Sequence, residues 1–242
     1  MKVFCMFEQS GTFKNAFKRY GVEAVDLDIL DDFGETDEQV DLFAEIEKAY
    51  NGEKSIFDEI TPEDLIMAFF PCTRFEAYVP LHCRGEACQQ KNYPTEKKLE
   101  VSRKIFDEIN DMYQRICKLF IVALRGGQRM VVENPVTQPH VLTQYFPVKP
   151  TFVDRDRTMR GDYYAKPTQY WFVNFEPKNN FFLEDLQTSQ ENIMTIAHIP
   201  RSDPMRAVKR SLISKTYADR FIREYILDED QINEKEKKRY DR

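Results

Sequence analysis

The 242-residue sequence is poor in glycine, with eight in all, which is low for a chain with many loops. Only one, Gly11, stands in the first turn, so a full glycine-rich phosphate loop is absent there. No apolar stretch approaches the ~20 residues that cross a bilayer, and no membrane partner is expected. Cys72, His82, Cys83 and Cys88 fall close together but lack the paired spacing of a zinc site, so no metal is expected. Five cysteines, odd in number and unevenly spaced, argue for reduced thiols and a cytoplasmic protein. The start, Met1-Lys2-Val3-Phe4-Cys5, has no signal-peptide layout. Internal repeats and low-complexity segments are also absent.

What is abundant is aromatic: 19 Phe and 12 Tyr, enough for a sizeable core. The length predicts one large domain, 1–227, followed by a charged tail, 228–242. The net charge of −6 is unevenly spread. Residues 1–64 hold 17 acidic and 6 basic residues, and residues 65–242 hold 24 and 29. Such a split suits an acidic back and a basic cleft for a polyanion, or two solvated faces of opposite sign. Arg155, Arg157, Arg160, Lys166, Arg206, Lys209 and Arg210 are the candidates for a phosphate-binding face.

The chain reads as alternating strands and helices. Lys2–Phe7 is a first strand, and Glu8-Gln9-Ser10-Gly11-Thr12 a turn. A helix follows over Phe13–Tyr20, and a second strand, Val22–Asp28, ends in acid. Strand, turn and helix form the layout in which backbone amides and a helix N-terminus accept an anion. Asp26 and Asp28, roughly 20 residues past the turn, are placed to bind ribose hydroxyls. A helix is expected near Asp37–Tyr50, and the longest over Thr95–Leu124.

Two further strands carry the chemistry. Leu65–Phe70 is an apolar run that ends in Pro71-Cys72, and Arg129–Pro135 is a second that ends in Glu133-Asn134-Pro135. The long helix between them makes a βαβ unit, so the strands are expected to be parallel neighbours with Cys72 and Glu133 on one rim. The polar stretch Thr73–Pro94 is expected to form a lid over Cys72. Short helices are predicted near Gln138–Tyr145 and Tyr217–Leu227. Strands at Pro150–Asp154 and Gln169–Phe175 suggest an antiparallel finish.

This ordered set resembles the cytosine-5 DNA methyltransferases, of the short phage-type and mobile-element kind. The family's Pro-Cys is matched by Pro71-Cys72 and its Glu-Asn-Val by Glu133-Asn134-Pro135. Its Phe-x-Gly-x-Gly turn is met in part by Phe7-Glu8-Gln9-Ser10-Gly11. The resemblance implies an α/β, Rossmann-like S-adenosylmethionine-dependent methyltransferase fold, mostly parallel with an antiparallel finish. It implies that Phe7, Ser10, Gly11, Asp26, Asp28 and Pro71 hold the cofactor. Cys72 would attack cytosine C6, Glu133 would bind the flipped base, Asn134 would orient the loop, and Arg74 would offset charge at the thiolate.

Two departures stand out. Glu8 and Gln9 replace small residues of the first motif, and no Arg lies in 166–171, where the family's Gln-x-Arg-x-Arg falls. Arg155, Arg157 and Arg160 are its candidate substitutes. DNA is the implied partner; a free nucleotide, or a fold that binds nucleotide or nucleic acid without turnover, stands beside it. The oligomeric state is left open.

Overall fold

A computed structural model describes residues 1–76, 78–137, 139–181, 199–200, 202–203 and 206–232. At its centre is one seven-stranded mixed sheet in the order β3-β2-β1-β4-β5-β7-β6. The strands are β1 (Lys2–Met6), β2 (Glu23–Asp28), β3 (Glu38–Gln39), β4 (Leu65–Ala68), β5 (Arg129–Pro135), β6 (Phe152–Asp154) and β7 (Thr168–Val173). The first five run parallel; β7 is antiparallel to β5, and β6 to β7. All four β4 side chains are buried, as a strand covered on both faces requires.

Helices cover both faces. α2 (Leu42–Asn51) and α4 (Thr95–Gly126) close one side. α1 (Thr12–Arg19) and α7 (Lys215–Tyr225) close the other. Local chemistry sets their ends. Asp41 caps α2 by accepting from the Phe43 and Ala44 amides at 3.0 and 3.2 Å. Gly127, in the left-handed region at φ 65°, stops α4. Among the described residues there are also three shorter α-helices, α3 (Val79–Cys83), α5 (Val141–Tyr145) and α6 (Arg206–Ser211), and two 3-10 helices at Ile56–Glu59 and Arg157–Arg160.

Several expectations are corrected. The helix expected from Asp37 starts at Leu42, because 38–39 pair with β2 as an edge strand. The segment 73–94 contains α3, which packs on α4, and among the described residues of that segment only Thr73 borders the cleft described below. It does not close over the cleft, although Glu76 Oε1 lies 3.8 Å from Cys72 Sγ. On α4, Leu99 and Phe106 follow the apolar spacing but are exposed. Past residue 227 the chain stays packed for a few residues more, since Ile232 is buried against the α7 side. Residues 233–242 lie outside the described residues, as does most of 178–204.

Candidate functional site

The parallel sheet reverses its winding direction between β1 and β4, and a crevice opens beyond their C-terminal ends. A cleft of about 570 Å³ occupies this place. Phe7 and Ser10 border it from the β1–α1 turn, Asp28 from the end of β2, and Pro71 and Cys72 from the end of β4. Glu133 borders it from β5 and Lys166 from the approach to β7. Register explains the meeting of Cys72 and Glu133. Ala68 pairs with Val132, so Glu133 lies one residue past that pair and Cys72 four residues past it.

Side-chain alternation along β5 then separates Glu133 from Asn134. Asn134 is fully buried and turns away from the cleft toward the α4 face. Its Nδ2 donates to the Phe70 carbonyl at 2.7 Å and so fixes the peptide before Pro71-Cys72. Glu133 turns to the opposite face, where Arg157 Nη1 lies 3.4 Å from its Oε1. Arg157 is 1 % exposed. It also pairs with Asp162 and stacks over the Tyr217 ring at 4.7 Å. Asp162 in turn accepts from the Ser214 amide at 2.8 Å, at the cap of α7. A buried chain therefore runs from Glu133 to the 211–213 segment, which borders the same cleft.

The basic residues do not form the phosphate face expected of them. Arg157 is buried, and Arg160 is bound to Asp154 at 3.0 Å and Glu224 at 2.9 Å. Lys209 pairs with Asp203, and Arg206 donates to the Ile199 carbonyl. Lys166 remains at the cleft and Arg155 is exposed.

Arg74 is also displaced from its expected role. It pairs with Glu108 of α4 and does not border the cleft. Burial pushes the Cys72 thiol up to about 11; Lys166 pulls it down, and Glu133 and Glu76 push it up. Cys72 Sγ lies 3.8 Å from Glu76 Oε1.

The first turn has filled its own anion site. The Glu8 side chain folds back and accepts from the amides of Phe13 at 2.6 Å and Lys14 at 3.3 Å. Asp26, fully buried, accepts from the Gly11 amide at 3.1 Å. Burial first, and the other acid second for Glu8, push both carboxyls up to about 7. Asp26 therefore sits beneath the turn and not at the rim; Asp28 is the acid at the rim. Gly11 does not border the cleft either. Its φ is 63°, and a Cβ there would meet Glu35 Oε2 at 2.6 Å. Phe7 and Gln9 share its left-handed backbone, at φ 63° and 42°, which costs non-glycine residues free energy.

Lys14 clamps the 31–37 loop over this turn through Glu35 and Asp37, each at 3.3 Å. His140 escaped the sequence reading. It is fully buried beside Phe75, with ring centroids 5.8 Å apart, and neither ring nitrogen has a hydrogen-bond partner. Burial, then Lys166, pushes it down to about 4. A lone histidine before a short helix carries no signal that sets it apart from a turn residue.

Among the described residues no group of three His, Cys, Asp or Glu side chains is arranged to hold a metal, and no helix is long and apolar enough to cross a membrane. All five cysteines are free. Neither a protein-family model nor a curated protein matches the chain.

Proposed function

We propose that this chain is a cytosine-5 methyltransferase-like protein with a Rossmann-like methyltransferase fold. One observation carries the reading: a single cleft at the switch point is bordered by Phe7, Ser10, Asp28 and Pro71 together with Cys72 and Glu133. The parallel sheet with its reversed β7 supports the fold assignment.

The donor set suits S-adenosylmethionine. The cleft volume falls in the range of small-molecule pockets. Asp28 offers an acceptor for ribose hydroxyls, and Phe7, Phe43 and Phe70 form an apolar wall, with ring centroids 5.2 to 5.8 Å apart. When bound, S-adenosylmethionine supplies an electrophilic methyl group.

The chain's own residues prepare the base. Cys72 sulfur forms a bond to C6 of cytosine, and C5 gains the electron density of an enamine carbon. The thiol proton leaves toward Glu76, the one carboxyl in hydrogen-bond range of Cys72 Sγ among the described residues. Glu133, held by Arg157, meets the Watson–Crick edge of the base. Asn134 keeps the Pro71-Cys72 peptide in place through Phe70.

A second reading is a related fold that holds a nucleotide or nucleic acid without turnover. The thiol at about 11 favours it, since thiolate is scarce at neutral pH. Two measurements separate the readings. Calorimetry should detect S-adenosylmethionine binding that Asp28→Ala weakens more than tenfold. DNA or a nucleotide carrying 5-fluorocytosine should then trap Cys72 covalently when the cofactor is added. Binding without any adduct selects the second reading, and no binding of the cofactor removes the first.

A further inference from the structure

The charge around the cleft is uneven. Among the described residues, Glu8, Asp28, Asp32, Asp41 and Glu133 border it against one cation, Lys166. Lys166 stands at the approach to β7, three strands along the sheet from β1, where it acts on the Cys72 thiol. The other end, built from the β1–α1 turn, the end of β2 and the start of α2, is bordered by four acids and by no cation.

Backbone donors at that end are already taken. Of the amides that open α1, Gly11 donates to Asp26, Thr12 to Ser10 Oγ at 3.4 Å, and Phe13 and Lys14 to Glu8. At the start of α2 the Phe43 and Ala44 amides donate to Asp41. Past β2 the Leu30 amide donates to Asp28 Oδ1 at 2.8 Å. A helix start attracts an anion through unsatisfied N–H groups, and here the chain's own side chains satisfy them. A carboxylate or phosphate entering this end would lose its water, meet like charge, and receive none of these N–H groups in return.

A cation meets the opposite conditions. Asp28 is 7 % exposed, and its Oδ2 has no hydrogen-bond donor among the described residues. The clustered rings of Phe7, Phe43 and Phe70 add π faces, which attract a positive group without needing a hydrogen bond.

We infer that the cleft selects a nucleoside whose 5′ substituent is cationic and carries neither carboxylate nor phosphate, with Glu8 as the group that excludes both. This rests on the reading of the cleft as a nucleoside-cofactor site and narrows it. Decarboxylated S-adenosylmethionine is the ligand of that description. It keeps the sulfonium and the amine, which acids and rings attract, and lacks only the group they repel. Glu8 acts here by refusing a ligand that the rest of the cleft would accept.

The test is calorimetry of the full chain at pH 8, above the value of about 7 at which Glu8 titrates. S-Adenosylmethionine and its decarboxylated form serve as a pair that differs by one carboxylate. The decarboxylated form should bind roughly tenfold more tightly or better. Adenosine should displace it at lower concentration than adenosine 5′-monophosphate does. Glu8→Gln keeps an acceptor for the Phe13 amide and removes the charge, so S-adenosylmethionine should bind this variant more tightly than wild type, and the ratio of the two ligands should shrink to about threefold or less. The circular dichroism spectrum of the variant should match wild type. S-Adenosylmethionine binding wild type as tightly as the decarboxylated form overturns the inference and leaves the cofactor reading standing, as does the monophosphate competing as well as adenosine. A ratio that Glu8→Gln leaves unchanged overturns it too, because the exclusion then lies elsewhere. Binding of neither sulfonium removes the inference and the cofactor reading together.

Discussion

The backbone amide of Phe13 donates to Glu8 Oε1 at 2.6 Å, so the chain caps its first helix with its own carboxyl group. If S-adenosylmethionine occupies the cleft, a Glu8 carboxylate pointing outward would oppose the carboxylate of that cofactor, a like-charge contact. Folded back on α1, it takes up amides that an external anion would otherwise use, and Asp26 takes the Gly11 amide. The turn end of the cleft is thereby made unfavourable to phosphate.

This arrangement sets a pH dependence. Glu8 and Asp26 both titrate near 7 in the fold, above their unfolded values of about 4. An acid raised in this way adds stability that is complete below its unfolded pKa and is lost as pH rises through about 7. Urea unfolding of the wild type at pH 5 and pH 8 should show this loss. Glu8→Gln keeps the acceptor for the Phe13 amide and removes the titration. Its stability relative to wild type should rise by about 1 kcal/mol or more between those pH values, roughly 2–4 °C in Tm. A wild-type-minus-variant difference that is flat with pH would mean that Glu8 does not titrate there.

Much of the frame is legible in the sequence because it rests on short-range signals. The apolar runs at 65–68 and 129–132, the length of the helix between them and the right-handed crossover rule are enough to set Cys72 and Glu133 on one rim. The antiparallel finish follows from two strands too close together for a crossover helix. What stays hidden depends on distant partners. Arg157 looks the same in sequence whether it meets solvent phosphate or Glu133, Asp162 and Tyr217 in the interior. Arg74, two residues from Cys72, invites assignment by proximity, and the structure gives it to Glu108 on α4. Gly11 reads as room for a ligand, yet the room is used by Glu35.

Gly11→Ala tests that last point. The new methyl would overlap the Glu35 carboxyl, and alanine resists the left-handed φ of 63°. The expected cost is about 1–3 kcal/mol. Adding Glu35→Ala should recover the steric part and leave the backbone part. Recovery of less than a quarter of the loss would show that crowding by Glu35 is not the cause.

The Cys72 thiol is held up near 11 mainly by burial, with Lys166 the first group pulling it down. Alkylation of Cys72 by iodoacetamide in the free protein should therefore be slow at pH 7 and climb steadily toward pH 10, with no plateau near neutrality. Exposed Cys88 should react first. Lys166→Met should slow Cys72 further at pH 8, and Glu76→Gln should speed it. Peptide mass spectrometry against time reads all four rates. A neutral-pH plateau for Cys72 would contradict the placement of these groups.

Arg157 carries the strongest expectation for stability. It is buried between Glu133 and Asp162, with its plane over Tyr217, and its two Nη atoms serve different acids. Removing the guanidinium leaves both acids buried without it, so Arg157→Met should cost about 3–5 kcal/mol in urea unfolding. Arg157→Lys keeps a charge but has no fork to bridge two acids, and it should recover less than half of that loss. A double-mutant cycle with Asp162→Asn should show a larger coupling than one with Glu133→Gln, because Asp162 is the more deeply buried of the two acids. If Glu133 is positioned by Arg157 for a base, Arg157→Lys should also slow covalent trapping by the 5-fluorocytosine substrate while leaving cofactor affinity unchanged. A lysine variant that unfolds within about 0.5 kcal/mol of wild type would show that the bridge is not what holds these acids together.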